Sequence, residues 1–235
     1  MTVLILAACL FLGLHLFVSG TRLRDVLTGV MGENIYLGLF SLASLGAIAF
    51  LVMAFNAARM GSDPMLFAPW TGTRDLAIPV VALAFLLAVP GLLTPNPTSV
   101  KQEASAAKAE TIKGVLRITR HPFLWGVVLW SGFHLSATGD EAGELFFGTF
   151  FLLALFGTFS IDAKRRRKMG EQWKSFAAKT SNIPFGAILL GRNSLKPGEL
   201  FDWRMLVAVA AFLAVLFSHA RMFGLSPFPG GWVPF

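Results

Sequence analysis

Six tracts without a charged residue divide the chain: Thr2 to Val18, Ile35 to Ala58, Leu76 to Leu93, Pro122 to Ala137, Leu145 to Ile161 and Met205 to Ala220. A helix crosses the hydrocarbon core of a bilayer with roughly 20 predominantly apolar residues, and uncharged flanks extend the shorter tracts toward that length. The pattern predicts an all-α polytopic membrane helix bundle of about six transmembrane helices, built as a single domain over residues 1–235. Between Ala163 and Thr180, Met169, Trp173, Phe176 and Ala177 recur at helical spacing among lysines, arginines and a glutamate. That spacing describes an amphipathic surface helix lying on the membrane. Glu103 to Glu110, alanine-rich with two lysines and two glutamates, reads as another short surface helix. The uncharged tail from Met222, with Pro227, Phe228, Pro229, Gly230, Gly231 and Trp232, reads as non-helical and interfacial. No internal repeat or low-complexity segment changes this picture.

Composition agrees: 55% of residues are apolar and 14% charged, whereas soluble domains carry about a quarter charged residues. The net charge of +7 does not point to nucleic acid, because the basic residues fall in loops between apolar tracts, where membrane orientation and anionic lipid account for them. Of the 20 lysines and arginines, all but Arg59, Arg74 and Arg221 lie in the loops after the first, third and fifth tracts. Basic loops stay in the cytoplasm, so both termini are expected outside it. The first tract lacks a basic leader and a small-residue cleavage site, and reads as a retained span. The single cysteine, Cys9, allows neither an internal disulfide nor a thiolate metal cluster. No P-loop, HExxH, CxxC or GxSxG pattern occurs, which leaves ATPases, zinc proteases, thiol oxidoreductases and α/β-hydrolases unsupported.

Ionisable side chains within spans are costly and mark function, and here the candidates are four histidines. By the predicted orientation His15 and His121 belong to the cytoplasmic half, and His134 and His219 to the outer half. His121 and His134 are separated by about 20 Å of helical rise and point to roughly opposite faces, so they cannot ligate one iron. Each histidine is either a neutral imidazole packed in the bundle or a metal or haem ligand. Arg120, His121 and Pro122 open the fourth tract one turn after Arg117, and with Arg22 and Arg24 they offer an anion site for lipid headgroups, haem propionates or a nucleotide-like cofactor.

Leu14-His15-Leu16, Arg120-His121-Pro122, Leu124-Trp125-Gly126, Phe133-His134-Leu135, Gly170-Glu171-Gln172-Trp173, Ile183-Pro184-Phe185, Gly191-Arg192, His219 and Gly224-Leu225-Ser226-Pro227 stand in this order along the chain. In that order and spacing the chain resembles the NnrU family of bacterial membrane proteins, which is associated with denitrification and nitric oxide metabolism. The family is similar to the plant 15-cis-zeta-carotene isomerase, a haem b membrane enzyme. The resemblance implies haem b as cofactor and redox, nitric-oxide-related or polyene isomerase chemistry on an apolar small molecule. It implies His15 and His134 as ligands, with Ser131 where that enzyme's proposed cysteine ligand falls. By depth alone, His134 would pair with His219 and His15 with His121.

Arg120-His121-Pro122 with Gly126, followed by a basic stretch and Gly170 to Phe176, is also similar to the isoprenylcysteine and phospholipid methyltransferases. That likeness implies S-adenosylmethionine near Arg120, His121 and Glu171. Leu124 or Trp125 stands where those enzymes have tyrosine, and Arg165 to Arg167 stand where they have acidic residues. A non-catalytic assembly or regulatory factor is the third class. Neither the oligomeric state nor the substrate can be read from these residues.

Overall fold

The computed structural model describes residues 1–107, 111–228 and 231, and every regular element among them is helical. The helices are α1 (Thr2–Leu12, widening into a π-helix at Gly13–Ser19), α2 (Leu23–Met31), α3 (Glu33–Met60), α4 (Thr73–Leu93) and α5 (Val115–Ile118). They continue with α6 (Pro122–Thr138), α7 (Glu141–Met169), α8 (Glu171–Ala178), α9 (Gly186–Leu189) and α10 (Trp203–Phe223). Five of them, α1 with its π continuation, α3, α4, α7 and α10, are long and apolar enough to cross a membrane. The remaining apolar tract, the fourth, forms α6, whose 17 residues lie at the short end of what spans a bilayer.

Neighbouring helices follow the order α3, α1, α7, α6, α4, α10, with α3 also touching α7. One core joins α1, α3 and α7 through Leu4, Ala7, Ala8, Phe11, Ala47, Leu51, Ala54, Ala58 and Ala142. The seam between α4 and α6 depends on two glycines. A Cβ on Gly126 would lie 2.6 Å from the Ala84 carbonyl oxygen, and one on Gly91 would lie 2.6 Å from the Phe123 nitrogen. Close approach of small residues is how membrane helices gain packing energy when lipid is as apolar as their side chains. On the outermost helix, α10, only Ala208 is buried, and its exposed leucines, valines and phenylalanines form a lipid-facing surface.

The amphipathic segment differs from the expectation in two respects. The basic run Lys164 to Lys168 completes α7 itself, which continues to Met169, and the chain then breaks at Gly170 (φ 54°) before the short α8. Trp173 and Phe176 of α8 are each 2% exposed, so its apolar side is covered by protein. Of the segment from Glu103 to Glu110, Glu103–Ala107 forms a 3-10 turn and residues 108–110 lie outside the described residues. The tail is non-helical from Gly224 to Phe228, while Pro229, Gly230 and Trp232 lie outside the described residues.

The three basic loops meet at one end of the bundle. Ser160 and Lys164 donate to the carbonyls of Gly20 and Ser19 at 3.0 Å, Arg165 to that of Ser99 at 2.6 Å, and Arg204 to that of Leu93 at 3.1 Å. At the opposite end the loop after α3 ties to the start of α7: Ala142 N–H donates to Asp63 at 3.0 Å and Leu66 N–H to the Gly139 carbonyl at 2.8 Å.

Candidate functional site

His134 lies on α6 with Nδ1 2.7 Å from the Trp130 carbonyl, one turn earlier. A carbonyl oxygen only accepts, so Nδ1 carries the proton and Nε2 keeps its lone pair. The same logic applies to His15, whose Nδ1 is 2.8 Å from the Phe11 carbonyl, and to His219, whose Nδ1 is 2.7 Å from that of Leu225. In all three rings Nδ1 is committed to a backbone carbonyl, which fixes the ring orientation and leaves Nε2 as the nitrogen through which a neutral imidazole could bind a metal.

The rings lie in an aromatic layer. His134 stacks on Phe147 of α7 at 4.5 Å between centroids and adjoins Trp130 at 5.2 Å. His15, in the π-helical turn, packs on Phe11 at 4.4 Å and edge-on to Phe40 of α3 at 5.4 Å. Phe11 touches Phe150 of α7 at 5.7 Å, and Phe150 touches Trp130 at 5.6 Å. His15 and His134 are thus linked through the rings of Phe11, Phe150 and Trp130. His219 packs on Phe223 at 4.8 Å between centroids. The Nε2 that each ring leaves free of the backbone is a donor atom that would suit the iron of a porphyrin. Among the described residues no three His, Cys, Asp or Glu side chains gather to hold a bare metal ion. Ser131, three residues before His134, is buried and donates to the Val127 carbonyl at 2.6 Å.

His121 has a different environment. It precedes α6, with Pro122 at the first helical position, and its Nε2 lies 2.7 Å from an oxygen of Asp162 on α7. Arg120 donates to the same carboxylate, from Nε at 3.0 Å and from Nη2 at 2.6 Å. Asn182 adds a longer contact at 3.4 Å and itself accepts from Trp125 Nε1 at 3.3 Å. Arg120 also lies 5.5 Å from the Trp173 ring and donates to the Thr180 carbonyl at 3.3 Å. Burial pushes the His121 imidazole below its ordinary pKa, reinforced by the Arg120 charge and opposed by Asp162. The ring's Nε2–H donates to the carboxylate. Here α6, α7 and the segment after α8 are clasped together, with the arginine charge answered internally.

Sequence reasoning missed Asp162. Its signal was an isolated acid between Glu144 and Glu171, at the end of an uncharged tract and just before a basic run. The expected anion site of Arg120, His121, Arg22 and Arg24 is not one cluster. Arg120 and His121 belong to the clasp, Arg24 is buried and paired with Glu33 at 2.9 Å, and Arg22 is exposed at the start of α2. Glu171 is exposed and paired with Lys174, away from the buried Arg120 and His121. A cavity of about 230 Å³ at the same end is lined by Pro90, Lys113, Glu199 and Arg204, and two of its charges are answered, Glu199 by Arg117 and Arg204 by Asp202.

These features define a multi-pass helical membrane protein with half-buried, tautomer-fixed histidines among aromatic rings and a buried ionic clasp at its basic end. The chain belongs to the NnrU family, described as NnrU protein, which it matches over residues 3–227. It is 27% identical over 210 residues to the chloroplastic 15-cis-zeta-carotene isomerase of Arabidopsis thaliana, a match covering 87% of this chain and 56% of that protein. It is 26% identical over 225 residues to the chloroplastic 15-cis-zeta-carotene isomerase of Zea mays, covering 94% of this chain and 60% of that one. The matched region is thus less than two thirds of the length of these curated relatives. No solved structure matches the chain.

Proposed function

We propose that this protein binds haem b within the bilayer through His134 and acts on an apolar polyene, in the isomerisation chemistry for which its relatives are named. The observation that carries the reading is His134 itself. It occupies the ligand motif of the resemblance, inside a span, with Nδ1–H committed to the Trp130 carbonyl and Nε2 left as a donor of electrons. The second ligand is His15 or His219. His219 shares the His134 end of the bundle, while His15 is linked to His134 through the ring contacts of Phe11, Phe150 and Trp130. Bound there, an iron porphyrin would supply a redox-active centre able to weaken one double bond of a conjugated chain.

The protein's own part is steric and electrostatic. Trp130 and Phe147 hold the imidazole plane, and the apolar rings around it would keep water from the reacting region. A hydrocarbon substrate dissolves in lipid and would reach the layer laterally, between helices whose outer faces are apolar. Isomerisation leaves the atoms and electrons of the substrate unchanged, so a lipid-enclosed site without an aqueous channel suffices. Anionic lipid at the basic end, both termini outside the cytoplasm and a bacterial inner membrane complete the proposal, supported by the distribution of lysine and arginine.

Expression in a host that accumulates 15-cis-zeta-carotene tests the activity. Chromatography of the extracted carotenes is expected to show a smaller 15-cis fraction with the natural chain than with an equally abundant His134→Ala variant. An identical isomer composition with and without the natural chain would overturn the isomerase reading.

A further inference from the structure

A second group of charges lies against α7, one turn beyond Asp162. A cavity of about 80 Å³ opens there, walled by Arg24, Tyr36, Phe40, Lys164, Arg165 and Lys168. The carboxylate in the lining, Glu103, accepts from Arg165 Nη1. Arg24 and Lys168 are paired with Glu33 and Asp25, at 2.9 Å and 3.2 Å; the Glu33 side chain is half exposed, whereas the Asp25 Oδ1 facing Lys168 is buried. Lys164 donates to the Ser19 carbonyl at 3.0 Å and has no carboxylate partner among the described residues.

Two further donors in this wall have nothing to donate to. The Tyr36 hydroxyl and the Arg165 Nε are buried and lack a hydrogen-bond partner, in residues only 4% and 5% exposed. A polar group buried without a partner costs about 1–3 kcal/mol, so two in one small basic cavity require a reason. Both donate, and ammonium and guanidinium groups surround them. A single group that answers both donors and the surrounding positive charge is an anion with several oxygens. The other side of the cavity is apolar, formed by Leu37, Phe40 and Val100, and Phe40 leads on to His15.

We propose that this pocket binds a phosphate group at the basic end of the bundle, received by Tyr36, Lys164 and Arg165 within the positive field of Arg24 and Lys168. The cavity admits a group of a few heavy atoms and no larger ring system. Its source is either the headgroup of an anionic phospholipid, with the acyl chains running past Leu37 and Phe40, or free phosphate. The inference is independent of the haem reading.

Thermal unfolding of the purified protein in a neutral detergent tests it, with phosphatidylglycerol, phosphatidylcholine or inorganic phosphate added. Phosphatidylglycerol is expected to raise Tm, phosphatidylcholine to leave it unchanged, and inorganic phosphate to compete with the lipid. Stabilisation by phosphate but not by phosphatidylglycerol would identify free phosphate as the ligand of the same site. Tyr36→Phe breaks no hydrogen bond within the protein, so its ligand-free Tm should match the natural chain, while anion affinity falls about tenfold. Lys164→Gln can keep the Ser19 contact and should weaken binding at least as much. Equal stabilisation of the natural chain and both variants, or no stabilisation by either anion, would overturn the proposal.

Discussion

Two basic clusters are built on the same face of α7 within one turn, and they treat charge in opposite ways. Around Asp162 the carboxylate is shared by Arg120, His121 and Asn182, and the arginine also covers the Trp173 ring. Around Arg165, cations outnumber the acids in the wall, and two donors remain without acceptors. A buried ion pair with complete hydrogen bonding holds elements in register and has nothing left to offer a ligand. An incomplete one gains stability only when something else arrives. Basic composition alone would have assigned both clusters the same role.

The largest expected effect is on the complete cluster. Asp162→Ala would leave Arg120 buried without its counter-charge, at a cost of about 3–5 kcal/mol, read as a large drop in Tm in detergent or failure to accumulate in the membrane. Lys164→Gln in the incomplete cluster should leave the ligand-free Tm nearly unchanged. Equal losses would erase the distinction between the two. Next comes Gly91→Val, which drives a side chain against Pro122 and Phe123 and so pushes the clasp away from α4, at about 1–3 kcal/mol.

A smaller, pH-dependent effect sharpens the same contrast. Burial holds His121 below its ordinary value near 6.5, so the unfolded chain binds this proton more readily than the folded one. Stability from this group is then fully present above about pH 6.5 and is lost as pH falls below it. Comparing Tm at pH 7.5 and pH 5.5 should show a drop in the natural chain that is reduced in His121→Gln. An unchanged drop would move the acid sensitivity elsewhere. Smallest of all is Tyr36→Phe, expected within about 0.5 kcal/mol of the natural chain when no anion is bound.

The spans were legible in the sequence because freedom from charge over a bilayer thickness is a local property. The end of α7 was not, since Lys164 to Lys168 suit a surface helix as well as the continuation of a span, and only the later break at Gly170 decides. His134 and His15 stood out as ionisable groups in apolar tracts. Their partners did not: the hydrogen bond from each Nδ1 to the preceding turn depends on rotamer, and the ring chain through Phe150 and Trp130 depends on which helices are neighbours. Asp162 was missed for the same reason, because the groups that satisfy it, Arg120 and His121, come from a helix start some forty residues away. Arg22 and Arg24 looked equivalent in sequence, yet one turn of α2 exposes the first and buries the second.

The most direct test of the central claim is the visible absorption spectrum of the protein purified in detergent after expression with an adequate haem supply. The natural chain should show a Soret band with stoichiometric haem b, and His121→Gln should retain it because His121 is committed to Asp162. His134→Ala should lose the band, and whichever of His15→Ala and His219→Ala also alters it names the second ligand. A Soret band and haem content in His134→Ala equal to those of the natural chain would contradict the account.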